Sequence, residues 1–404
     1  MNVFSKELLM NTGGGGSGEP QIACSNYTTW YTDANGNLYG CGYGNGGQQG
    51  SGNTNNVTIF TKRASSVVKV VCSNYTTWYI DTNGNLYGCG RNNYGQQGNG
   101  STTDVTTFAL AATNVKDVVC SDMTTWYIDN NDNLYGCGNS DYGQQGNNST
   151  NYVTSFTQRA SSVSQVFCSD NTTWYISGSS LYGCGEAYSG QQGSGSTTDI
   201  KKFTQRGTAV GAAACSTMTT WYINNISIGG NLYGCGAGSS GQQGSGTSNV
   251  TSFTRRTAIS NPIVVKCSYY TTWCVNTNGD LYGCGEAGSG QQGSGSTTDV
   301  KSFTKRASNV ESFDCSYAST WYINSSGDLY GCGEAGSGQQ GSGSTTDVKS
   351  FTKRAENVKQ VACSDYTTWY ITNSGDVYGC GSSLYGQQGN NSTNSDVTTF
   401  TKRN

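Results

Sequence analysis

The chain has 404 residues, of which 58 are glycine, 17 cysteine, 2 proline and none histidine; 12% are charged and the formal net charge is −3. Without histidine there is no Ser-His-Asp or Cys-His relay and no imidazole metal site. The slightly acidic balance argues against a dedicated nucleic-acid binder, and no apolar run of about 18 residues offers a membrane-spanning helix.

In chain order, residues 1–20 stand apart from the rest. Val3, Phe4, Leu8 and Leu9 make a short apolar stripe, an anchor-like segment too short to fold alone and suited to docking on a partner. A glycine-rich linker follows at residues 13–18. No secretory leader is read, so free thiols in a reducing setting are expected.

From Gln21 onward the sequence repeats. Tryptophan recurs at 30, 78, 126, 174, 221, 273, 321 and 369, spaced 47 to 52 residues apart. Each is preceded by Thr-Thr, or by Ser319-Thr320. Each unit continues with Leu-Tyr-Gly-Cys-Gly (Val377 replaces Leu once) and then Gly-Gln-Gln-Gly. The units are read as 21–66, 67–114, 115–162, 163–210, 211–259, 260–309, 310–357 and 358–404. In the second, residues 67–72, 76–81 and 86–89 read as strands and 105–108 as a weak fourth. Asn83-Gly84 is read as a two-residue hairpin turn between the second and third. The strand around Trp78-Tyr79-Ile80 is apolar on both faces, so both must be covered. Stacked blades in a closed ring do this and leave no end to cap. The expected fold is all-β: a closed β-propeller of eight four-stranded blades of about 48 residues.

The motifs Cys72-Ser73-Asn74-Tyr75-Thr76-Thr77-Trp78-Tyr79-Ile80, Leu86-Tyr87-Gly88-Cys89-Gly90 and Gly95-Gln96-Gln97-Gly98 resemble the repeat of the regulator of chromosome condensation family. The resemblance runs from Gln21 to the end and implies a propeller, of seven blades as is usual in that family; the count of units here is eight. Where the family has His-Thr, Trp-Gly and Gly-Gln-Leu-Gly, this chain has Thr76-Thr77, Cys89-Gly90 and Gly95-Gln96-Gln97-Gly98.

Sixteen cysteines fall in two registers per unit, such as Cys72 and Cys89, and Cys274 is the odd one. With a strand between them the two registers lie roughly 9.5 Å apart, beyond the ~7 Å Cα reach of a disulfide. They are read as small buried thiols. The tryptophans are read as seams between blades. The Gly-Gln-Gln-Gly loops are read as locks on the next blade. The basic pairs, such as Lys305-Arg306, are read as cancelled by a belt of Asp104, Asp199, Asp299, Asp347 and Asp396. Tyr43, Tyr94, Tyr142, Tyr188 and Tyr385 precede the Gly-Gln-Gln-Gly loops and vary between units; loop aromatics of this kind are the candidate recognition residues.

No carboxylate pair or nucleophile stands out from the repeat, so neither an enzyme nor a cofactor or metal site is expected. The polar, weakly charged surface, the anchor-like segment and the linker suit display on a larger assembly. The leading expectation is a non-enzymatic structural or binding component of a phage virion (tail, fibre or capsid-decorating protein), partnered by other assembly proteins or by itself. The resemblance implies an alternative, a cytoplasmic protein-interaction scaffold or a regulator of small GTPases. A third expectation is a propeller with one shallow glycan site per blade.

Overall fold

The computed structural model describes residues 19–404. Its 32 strands form eight separate antiparallel sheets of four, each drawn from one repeat in chain order. The second blade comprises Val67–Cys72, Thr76–Asp81, Leu86–Gly90 and Val105–Ala112. The eight-bladed reading is borne out, and the seven-bladed alternative is set aside. First strands of neighbouring blades pack on one another at the centre of the ring. Fourth strands form the rim, and in the first three blades their side chains are half-buried or exposed and none is buried. In the fifth blade the first strand starts at Val210, and a 3-10 turn at Ile226–Ile228 replaces the hairpin.

Two local expectations change. The fourth strand runs eight residues rather than four. Its pairing continues past register shifts between Gly88 and Gly90 and between Leu86 and Tyr87, and no residue of it is buried, so burial gives it no apolar alternation to read. The Asn83-Gly84 segment belongs to a longer turn, since Ile80 pairs with Leu86. There Asp81 accepts the N–H groups of Asn83 and Asn85, both at 2.9 Å, and Gly84 takes φ +74°. A two-residue hairpin is found instead at Gly178-Ser179.

The seams explain the repeated letters. Trp78 and Ile80 of the second blade pack on Val118 and Tyr127 of the third. The ring of each tryptophan meets a fourth-strand phenylalanine of the next blade edge-on, as Trp78 meets Phe156 at 5.9 Å. Within its own sheet Trp78 lies opposite Gly88, where a Cβ would come within 2.2 Å of the indole ring.

The glutamines and buried cysteines form a second lock. The Gln96 amide oxygen accepts the Tyr94 N–H at 2.9 Å, and its nitrogen donates to the Asp122 carbonyl of the next blade at 3.2 Å. The Gln96 carbonyl accepts the Cys137 thiol at 3.3 Å. Thiol-to-carbonyl bonds of this kind cross every seam, including the closing one, Cys41 to Gln387 at 3.3 Å. The second glutamine turns back on its own blade, as Gln145 does to the Cys137 carbonyl at 2.8 Å. All 17 cysteines are free thiols. Gln96→Ala strips two backbone groups of their partners at once and is expected to cost about 2–3 kcal/mol. A thermal melt against wild type checks this; an unchanged midpoint would show the lock to be idle.

The ring closes with the same parts. Trp369 packs on Ile22 and Tyr31, and Phe60 stands 5.6 Å from Trp369. Asn26 donates to Asp365 at 2.9 Å and accepts the Asp365 N–H at 3.0 Å. Among the described residues no strand is exchanged between the first and last repeats.

The charged belts behave differently from the sequence reading. Lys305, Lys353 and Lys402 pair with Asp280, Asp328 and Asp376 of their own hairpins at 2.7–2.9 Å. Asp104, Asp199, Asp299, Asp347 and Asp396 instead accept backbone N–H groups and staple the loop ahead of the fourth strand.

Candidate binding face

In each antiparallel sheet the turn from first to second strand and the loop from third to fourth end on the same side. This loop face therefore gathers sixteen connections, two from each of the eight blades. The opposite face carries hairpins closed on themselves by Asp and Asn side chains.

Around the centre of the loop face runs a relay of side chains onto backbone. The N–H groups of Tyr317, Asp365, Asn26, Asn74 and Asp122 donate in turn to Asp365, Asn26, Asn74, Asp122 and Asp170, at 2.8–3.1 Å. The relay breaks where the fifth, sixth and seventh blades carry Thr217, Tyr269 and Tyr317, which have no carboxylate or amide to offer. Burial and the neighbouring charge of Asp122 push the Asp170 carboxyl above its usual range.

The tyrosines lie just outside this relay. Tyr43 and Tyr385 meet at 4.8 Å, and both meet Tyr27, at 5.7 and 5.2 Å. Tyr75 extends the cluster at 6.0 Å from Tyr27, and the Arg91 guanidinium stands 3.6 Å over the Tyr75 ring. Tyr94 meets Tyr152 edge-on at 5.2 Å. Tyr142 and Tyr188 stand free of these clusters, and Tyr188 is 77% exposed. Of the expected loop aromatics, the structure thus brings Tyr43 and Tyr385 together and leaves Tyr94, Tyr142 and Tyr188 apart.

Sequence reasoning missed the aromatics on the other connection. Tyr27, Tyr75, Tyr270 and Tyr366 occupy the residue before Thr-Thr, where other units have Met123, Asn171, Met218 and Ala318. That variation beside an invariant pair was the available signal. Val3, Phe4, Leu8 and Leu9 lie outside the described residues.

Acidic groups share the face. Glu186, Glu286 and Glu334 follow the Gly-Cys-Gly motif in the fourth, sixth and seventh blades. Each carboxyl is raised chiefly by burial, and the nearby Asp199, Asp299 and Asp347 add to it.

A model of the Regulator of chromosome condensation (RCC1) repeat matches residues 67–96 and 358–387, in the second and eighth blades. Two of the eight repeats thus match the repeat of that family. Both matched RCC1 stretches run from a first strand to the first glutamine of the Gly-Gln-Gln-Gly loop. Among solved structures, human WBSCR16 is similar with a TM-score of 0.65 and 16% identity, over 81% of this chain and 96% of that one. Prp20p from Saccharomyces cerevisiae is similar with a TM-score of 0.63 and 16% identity, over 81% of this chain and 87% of that one. At this identity the likeness concerns the fold alone. No curated protein sequence matches the chain.

Proposed function

We propose that this propeller is a non-enzymatic protein-binding module that engages its partner through the loop face. One observation carries the reading. Of eight exposed large hydrophobic side chains among the described residues, six lie on that face: Tyr142, Tyr152, Tyr188, Tyr317, Tyr366 and Leu384. Ile59 and Leu110 lie on rim strands. Exposed aromatics grouped on one side of a scaffold locked elsewhere are the composition of an interface. The reading is supported by the similar Prp20p, which was studied for its binding to Gsp1p and histones, and by yeast RCC1 (Prp20), which was solved with Kap60.

A repeated glycan site would need one aromatic constellation per blade, and the loop-face tyrosines differ from blade to blade. The virion reading rests on the polar repeats together with the segment before Glu19; that segment lies outside the described residues, and none of the similar proteins supports the reading.

The test is site-specific photocrosslinking in extract of the native cell. A photoreactive phenylalanine at Tyr188 or Leu384 is expected to capture a discrete partner, while one at Ile59 or Leu110 captures none. Capture from the rim positions alone overturns the assignment of the face. These exposed sites should tolerate substitution within about 0.5 kcal/mol.

A further inference from the structure

We propose, building on the protein-binding reading of the loop face, that the sector of the sixth and seventh blades receives lysine and arginine side chains of a partner polypeptide. The sector is built from three tyrosines and three carboxylates. Tyr269 and Tyr270 meet edge-on at 4.6 Å, and Tyr317 of the seventh blade stands 5.5 Å from Tyr270 and is 42% exposed. Glu286 is held against this group by its N–H on the Tyr270 carbonyl at 3.1 Å, and Glu334 by its N–H on the Ala318 carbonyl at 2.9 Å. Asp365 accepts the Tyr317 N–H at 3.0 Å.

Three features make this a receptor for cations. First, Glu286, Asp365 and Glu334 all act on the Tyr317 phenol, whose ionisation is suppressed by burial, then by Glu286 and Tyr270, then by the other two carboxylates. Among the described residues no cation pairs with Glu286 or Glu334, and the Glu286 Oε2 atom is buried without a hydrogen-bond partner there. Second, both glutamates are half-buried, and no loop side chain is added over them. At the register where the fourth blade carries Tyr188, the sixth and seventh carry Gly288 and Gly336, and a Cβ built there would meet only its own blade's glutamate oxygen, at 3.7 Å. Third, the chain itself shows the fit. In the second blade the register of Glu286 is taken by Arg91, and its guanidinium lies 3.6 Å over Tyr75, the equivalent of Tyr270. The sixth blade keeps the aromatic platform, Tyr270, with Tyr317 of the seventh beside it, and exchanges the built-in cation for a carboxylate, so the cation comes from outside.

Fluorescence anisotropy with the full chain tests this, using labelled dodecapeptides of alternating Gly-Lys, Gly-Arg and Gly-Glu at low ionic strength. The cationic peptides are expected to bind and to weaken as salt rises, and the Gly-Glu peptide to stay free. Glu286→Gln with Glu334→Gln should weaken binding about tenfold. Tyr317→Ala, which leaves the charge unchanged, should weaken it about threefold. Asp33→Gln with Asp81→Gln on the opposite face removes the same charge and should leave affinity intact. Equal loss from both charge pairs, no effect of Tyr317→Ala, or no binding of either cationic peptide overturns the proposal. Partner capture from Tyr188 or Leu384 alongside any of these results leaves the loop face as the binding face and refutes only its cation sector. Thermal melts of each variant separate lost binding from lost fold.

Discussion

Trp126→Ala lowers the stability of the ring by about 3–5 kcal/mol, the range for removing a large buried aromatic. The indole is wholly buried and fills the seam between the third and fourth blades. It touches Val163, Val166 and Tyr175 across that seam, with Phe203 edge-on at 5.9 Å. Its own sheet cannot collapse into the void, because Gly136 lies opposite and contributes no side chain. The indole N–H finds no acceptor among the described residues. Trp126→Phe therefore gives up no hydrogen bond and should cost less than half as much. Urea denaturation followed by far-ultraviolet circular dichroism measures both, with Tyr188→Ala as an exposed control expected within about 0.5 kcal/mol of wild type. A Trp126→Ala midpoint equal to that of the control would mean the seams do not carry the fold.

The features legible in the sequence are those that every blade needs. Trp78 and Cys89 meet the same neighbours at every seam, and Gly88 meets the tryptophan of its own sheet in every blade, so repetition in the letters mirrors repetition in the contacts. Phe108 kept its register although the residues after it diverged to Ala109-Leu110, since only the phenylalanine reaches the preceding tryptophan, Trp30, at 5.8 Å. The fourth strand was half hidden because it lies on the rim, where burial puts no pattern on its side chains. The turn at residues 82–85 was misread because Asp81 and Asn85 close it by side-chain bonds that a dipeptide rule does not contain.

The candidate face was legible only in part, for a related reason. Tyr43 and Tyr385 are 342 residues apart in the numbering, yet ring closure places them in contact at 4.8 Å. Which loop aromatics become neighbours depends on the blade count and on which connections share a side. Tyr317 stands out only once Glu286, Glu334 and Asp365 are seen around it from three different blades.

Raising the pH is expected to unfold this protein more sharply than any single substitution. Nine thiols are fully buried: the eight of the Gly-Cys-Gly register and Cys274. Burial pushes each of them up, well above the ordinary value in cases such as Cys89, Cys137 and Cys235, with nearby arginines offsetting only part of it. In the unfolded chain the same thiols ionise near pH 8.5–9. Above that pH the unfolded state has lost protons that the folded state still holds, so stability falls as pH rises; below it the thiols contribute no slope. Each such thiol costs about 1.4 kcal/mol per pH unit, so together they remove on the order of 12 kcal/mol for each unit above about pH 9. That matches the whole stability of a typical domain, about 5–15 kcal/mol. Buried tyrosines such as Tyr31 and Tyr79, pushed up to about 12, add to the slope above pH 10. Circular dichroism and tryptophan emission should stay flat from pH 7 to about 8.5 and collapse together near pH 10, with the released protons counted by titration. A thiol reagent at pH 8 should find the nine buried groups unreactive until denaturant is added. A fold that persists at pH 11 would show that hydroxide reaches these thiols without opening the ring, and the seams built on them would then be far looser than their contacts imply.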